Sequence, residues 1–218
     1  MKDSQIHEVI EKLKNAVQSW NLPIVTDISL RRNDPFQVLM ATVLSLRTKD
    51  ETTAQAAKRL FQLADSPSAM LGLSEEIIAR TIYPVGFYRT KAKNILGICH
   101  TLVEKYGGKV PDDIDELLTL RGVGRKTANL VVTLGYGKPG ICVDTHVHRI
   151  SNRLGYVRTR TPEKTEFALR QKLPPQYWII YNDLLVAFGQ NLCRPVSPLC
   201  STCPLNHLCN RTGVKHSR

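Results

Sequence analysis

One stretch of this chain stops a helix and restarts it at once. Residues 112–120, "DDIDELLTL", and residues 125–134, "RKTANLVVTL", both carry apolar residues at helical spacing, and only Arg121-Gly122-Val123-Gly124 separates them. Glycine permits the tight turn and the close backbone approach that such a reversal needs, so a helical hairpin over about 113–135 is expected. The restarted helix leaves the amides of its first turn outside its own ladder, with the positive end of the dipole behind them. Arg125 and Lys126 add two cations at that point. Gly122, Val123, Gly124 and Arg125 therefore form a candidate phosphate clamp, which would hold a nucleic-acid backbone without reading its sequence. The plain alternative is a close helix–helix turn with no ligand. Lys126 is open to two readings, a further phosphate contact or a chemical role.

Charge favours the clamp. Lys and Arg total 30 against 19 Asp and Glu, a formal net charge of +11, and the excess is spread along the chain with no long basic tail. That points to a folded basic face and a polyanionic partner. The start, "MKDSQIHEVIEKLKNAVQSW", mixes charged and apolar residues and has no signal-peptide apolar core. No apolar run approaches the ~18 residues of a membrane span. A cytosolic, nucleoid-associated protein with no membrane role is expected.

The remaining signals are helical. Ile6, Val9, Ile10, Leu13, Val17 and Trp20 recur on one helical face, followed by a turn at Asn21-Leu22-Pro23. Asp34-Pro35, Ser66-Pro67, Ser74-Glu75-Glu76, Asp144 and Thr161-Pro162 each combine a capping side chain with a good first-turn residue. "FQVLMATVLSL" is too apolar for a surface helix and reads as a central one. A long helix from about Thr90 to Tyr106 would turn Ile95, Leu96, Cys99, Leu102 and Val103 inward and stop at Gly107-Gly108. "YWIIYNDLLVAFGQNLC" is the last long helix. "PGICV" is the one candidate extended piece, and "GYGKPG" marks a crossing between domains.

Four of the six cysteines, Cys193, Cys200, Cys203 and Cys209, give C-x6-C-x2-C-x5-C. In a reducing compartment this spacing suits a tetrahedral zinc or an iron–sulfur cube, and spacing alone does not choose. Cys99 and Cys142 sit among apolar residues and read as core thiols.

Together, "LRGVGRKTANLVVTLGYGKPGICVDTHVHRISNRLG" and "FGQNLCRPVSPLCSTCPLNHLC" resemble the endonuclease III family of helix-hairpin-helix DNA glycosylases, from about Pro35 to Cys209. The resemblance implies an all-α fold of two helical domains with a DNA groove between them. A six-helix domain at 28–138 would carry the hairpin. Residues 1–27 and 139–218 would form an iron–sulfur domain whose loop, 193–209, holds a [4Fe-4S] cluster. The family's catalytic lysine falls on Lys126 and its catalytic aspartate on Asp144. The implied activity is base excision of oxidised pyrimidines of the thymine glycol type from double-stranded DNA, followed by nicking of the abasic strand through a Lys126 Schiff base. A single chain suffices for one duplex.

A flipped base leaves a gap, and the family fills it from two loops. Here those positions are Arg47 in "LSLRTKD", where bacterial relatives commonly carry glutamine, and Phe87 in "VGFYRTK", whose alternative is a core aromatic. His146 matches the family's "DTH" and either touches DNA or braces Asp144. Arg121 replaces a common proline, and the loop "RPVSPL" offers only Arg194 to DNA. The competing functions are a monofunctional mismatch or adenine glycosylase, disfavoured by Lys126, a non-catalytic hairpin DNA-binding protein, which needs no Lys–Asp pair, and a zinc-stabilised interaction protein.

Overall fold

The computed structural model describes residues 1–20, 23–32 and 34–218, with the backbone alone for Arg31 and Arg32. The first two positions of the turn expected at Asn21-Leu22-Pro23 thus lie outside the described residues. The described chain is helical: α1 (Ile6–Val17), α2 (Ile24–Arg32), α3 (Pro35–Ser45), α4 (Asp50–Leu63), α5 (Pro67–Leu71), α6 (Glu75–Ile82), α7 (Tyr88–Tyr106), α8 (Ile114–Leu118), α9 (Arg125–Leu130), α10 (Thr145–Leu154), α11 (Pro162–Lys172) and α12 (Trp178–Asn191). After α9 the chain widens into a π turn over Val131–Gly135. No strand occurs among the described residues. "PGICV" is irregular chain with Ile141, Cys142 and Val143 buried. No described helix is long and apolar enough to cross a membrane.

The chain divides into two compact units, 24–138 and 1–23 with 139–218. Residue 28 falls inside α2, a short helix without a strong sequence signal. The first unit starts at Ile24 instead, because Val25 is already part of its core.

In that unit α3 is buried along nearly its whole length, Phe36 to Leu44, and packs against α2, α4, α7 and α9. Its start is fixed as the sequence implies: the Asp34 side chain accepts from Phe36 N–H and proline takes the first helical position. Ser66 and Ser74 cap α5 and α6 in the same way. The inward face of α7 differs from expectation. Ala92, Ile95, Ile98, Cys99 and Leu102 are buried, Leu96 is half-buried, and Val103 is exposed. The spacing 92, 95, 98/99, 102 is the stripe that a 3.6-residue period gives; Val103 lies one position beyond it. Burial pushes the Cys99 thiol up to about 12, as befits an inert core thiol.

The other unit has its own core. Ile6, Val9, Ile10 and Leu13 on α1 are fully buried against it, and Val17 and Trp20 are partly so. α12 packs against both α1 and α10, and α11 packs on α10. Thr161 caps α11. Tyr181 is fully buried in α12, its hydroxyl 3.1 Å from Ser151 Oγ on α10.

Candidate active site and nucleic-acid interface

The hairpin forms as the glycines require, though they do different jobs. Leu120 and Val123 are buried and anchor the turn. Gly122 has φ +76°, and a Cβ there would lie 2.5 Å from Asn94 Nδ2 on α7. Both conformation and space exclude a side chain. Gly124 has extended backbone (φ −106°, ψ 176°) and nothing within 4 Å of where a Cβ would sit. Its bareness is therefore not a folding requirement, which corrects the assignment of both glycines to the turn. Arg121, in place of the common proline, lays its stem against Gly97 of α7. The first rung within α9 is Ala128 N–H to Gly124 O, at 2.9 Å, so the amides of Arg125, Lys126 and Thr127 lie at the turn end of the helix. Lys126 is half-buried in this first turn.

Asp144 is the N-cap of α10. Its Oδ1 accepts from His146 N–H (2.8 Å) and Val147 N–H (2.9 Å). One oxygen thus fixes the carboxylate, and Oδ2 takes no part in the cap. His146 packs on Gly189 of α12, where a Cβ would fall 2.3 Å from His146 Nδ1, and the same nitrogen lies 3.1 Å from Arg149 Nη2. His148 lies elsewhere, 2.6 Å from Thr165 Oγ1 on α11, and burial lowers its pKa.

Helix α10 also links Asp144 to the cysteine loop. Arg149 Nη2 donates to Cys193 O (2.8 Å) and Gly189 O (3.4 Å). Arg153 Nη1 donates to Arg194 O (2.7 Å) and Cys193 Sγ (3.4 Å), and its Nη2 to Pro195 O (2.7 Å). Neither arginine carries a sequence signal beyond their i, i+4 spacing on one face of α10. The side chain of Arg194 itself is exposed.

Cys193, Cys200, Cys203 and Cys209 line one cavity, walled by Ile150, Leu154, Phe188 and Leu205. None is in a disulfide. Burial pushes the Cys203 thiol up to about 11, helped by the three other sulfurs, and Cys209 moves the same way. Among the described residues no three Cys, His or acidic side chains converge on a single ion's position. The thiols are set around a space instead.

Arg47 and Phe87 come together. Both have positive φ, 53° and 58°, unusual for residues other than glycine, asparagine and aspartate. The Arg47 guanidinium carbon sits 5.6 Å from the Phe87 ring centroid, a cation–π stack. Phe87 is 63% exposed, which removes the core-aromatic alternative.

Residues 40–175 match the family model described as HhH-GPD superfamily base excision DNA repair protein. The chain is 51% identical over 179 residues to endonuclease III of Thermotoga maritima, covering 82% of this chain and 84% of that one. It is 40% identical over 193 residues to endonuclease III of Bacillus subtilis, covering 88% of each. The fold superposes with a TM-score of 0.86, at 37% identity and 97% coverage of both chains, on a trapped endonuclease III–DNA covalent intermediate. Hairpin, capped aspartate and cysteine loop thus occur in a chain that belongs to the endonuclease III family of the HhH-GPD superfamily.

Proposed function

We propose that this protein is a base-excision DNA glycosylase and abasic-site lyase, with Lys126 as nucleophile and Asp144 as its partner. The observation that carries the reading is Lys126 in the first turn of α9, two residues past Gly124, which has open space where a side chain would sit. It is joined by the relatives named endonuclease III and by the likeness to a covalent intermediate with DNA.

The target nucleotide leaves the base stack, because the reacting carbon is out of reach inside a duplex. The amides at the start of α9, with Gly124 and Arg125, hold the backbone phosphate. The neutral Lys126 amine attacks the sugar C1′ as the bond from C1′ to the base nitrogen breaks, and the base leaves with its electron pair. Asp144 Oδ2, left over by the cap, takes the proton from the amine and offsets positive charge on the sugar. The C1′–O4′ bond then breaks with O4′ taking up a proton, and the sugar ring opens to a protonated C1′=Nζ Schiff base that acidifies C2′–H. Loss of that proton expels the 3′ phosphate and nicks the strand, and water frees Lys126. Oxidised pyrimidines are the substrate class, and a DNA substrate agrees with a nucleoid-associated protein.

The cysteine loop fits a four-iron cube, because its four thiols line one cavity with apolar walls. Cys193, Cys200, Cys203 and Cys209 would each bind one corner iron. The group would brace the loop that carries Arg194. Purified protein is expected to be brown, with equal iron and sulfide by chemical assay. A colourless protein carrying zinc overturns the cluster assignment.

Lys126→Ala is expected to abolish nicking of abasic duplex while its gel-shift affinity stays near that of the wild type. Nicking at the wild-type rate by Lys126→Ala would refute the nucleophile assignment.

A further inference from the structure

Lys91, on α7, is 6% exposed and far from the hairpin in sequence. Its ammonium donates to Leu44 O (2.7 Å), Leu46 O (2.6 Å) and Thr48 Oγ1 (3.2 Å). No carboxylate among the described residues shifts its titration. Burial alone pulls its pKa down to about 8, which leaves it charged at neutral pH. A buried ammonium must satisfy its three donors, so the three oxygens are held where its tetrahedral geometry puts them. Two are carbonyls at the C-terminal end of α3, where a cation also meets the negative end of the helix dipole.

The third oxygen carries the constraint across to a second loop. Thr48 Oγ1 also accepts from Gly86 N–H, at 3.2 Å. The loops approach so closely that a Cβ on Gly86 would meet Arg47 O at 2.6 Å. Arg47 and Phe87, the two left-handed residues, flank this junction, and their side chains stack. Neither residue type favours that backbone region, so the surroundings must impose it.

We propose that Lys91 is a positioning residue for duplex penetration: it pins the 44–48 and 86–87 segments together, so that Arg47 and Phe87 enter DNA as one pre-assembled pair. The proposal rests on the reading of these two residues as gap fillers. Preassembly means that the ordering of both loops is complete before the duplex opens. Lys91 touches no reacting atom and acts only through the pair.

The test compares single-turnover cleavage of an abasic site in duplex and in single-stranded DNA, where there is no stack to enter. Wild type, Lys91→Met, the double variant Arg47→Ala/Phe87→Ala and the triple variant are measured. Lys91→Met is expected to slow the duplex reaction roughly 10- to 100-fold and leave the single-strand reaction unchanged. Added to the double variant, it is expected to cost nothing more, since the pair it positions is gone. Equal losses on both substrates, or a full further loss in the triple variant, would overturn the proposal. Should Lys91→Met fail to fold, Thr48→Val removes the bridging oxygen at nearly constant shape, and the same comparisons decide. A double variant at the wild-type duplex rate overturns the gap-filling reading and the proposal with it. A slow double variant beside Lys91→Met at the wild-type rate overturns the proposal alone.

Discussion

At the residue scale, the cap of α10 and the chemistry proposed for Asp144 fall on different oxygens of one side chain. Asp144 caps α10 through Oδ1 alone, and the proposed chemistry uses Oδ2. Asparagine caps a helix about as well as aspartate but cannot take a proton. Asp144→Asn is therefore expected to keep the wild-type melting temperature and to slow base release by roughly 10²- to 10⁴-fold. Asp144→Ala should lose the same activity and in addition about 1 kcal/mol of stability. Thermal melts and single-turnover rates on thymine glycol duplex separate the two losses, and an Asp144→Asn protein at full rate would remove Asp144 from the chemistry. The hairpin glycines divide in the same way. Gly122→Ala meets both positive φ and Asn94, and should destabilise the fold by at least about 1 kcal/mol. Gly124→Ala meets nothing in the protein, so it should melt like the wild type and bind abasic duplex more weakly. Equal affinity for Gly124→Ala would mean that no phosphate comes close to that backbone.

At the scale of elements, helix starts were legible because their signals are local. Asp34, Ser66, Ser74, Asp144 and Thr161 all cap the helices their sequence context implies. What escaped sequence reading joins residues far apart in the chain. Lys91 bonds to Leu44 and Leu46, and Arg149 and Arg153 reach Cys193 to Pro195. No local pattern marks a lysine that will be buried. The left-handed turns at Arg47 and Phe87 escaped for the same reason, since neither residue type announces that conformation. Lys91 also makes a pH prediction for α7. Its pKa is about 8 in the fold against 10.5 for an unperturbed lysine, so between these values the unfolded chain holds a proton that the folded site has shed. The group's contribution to stability therefore rises with pH from about 8 to 10.5, and the gain is gone once pH has fallen back to about 8. In urea unfolding, the stability of wild type minus that of Lys91→Met should climb over this window. A flat difference would show that Lys91 is no harder to charge in the fold than in the unfolded chain.

At the scale of the whole molecule, a net charge of +11 together with the proposed phosphate clamp implies backbone-driven binding. Affinity for abasic duplex should fall roughly a thousandfold or more between about 50 and 200 mM salt, as for a footprint of about six phosphates. Affinity that ignores salt would contradict this. The proposed catalysis rests on one step, a covalent bond from Lys126 to the sugar. The direct measurement is to incubate the protein with abasic-site DNA, reduce with borohydride and map the adduct by peptide mass spectrometry. One protein–DNA adduct is expected, carried on the Lys126 peptide and absent from Lys126→Ala. No adduct with DNA binding intact, or an adduct on another lysine, would contradict it and leave Lys126 a phosphate contact.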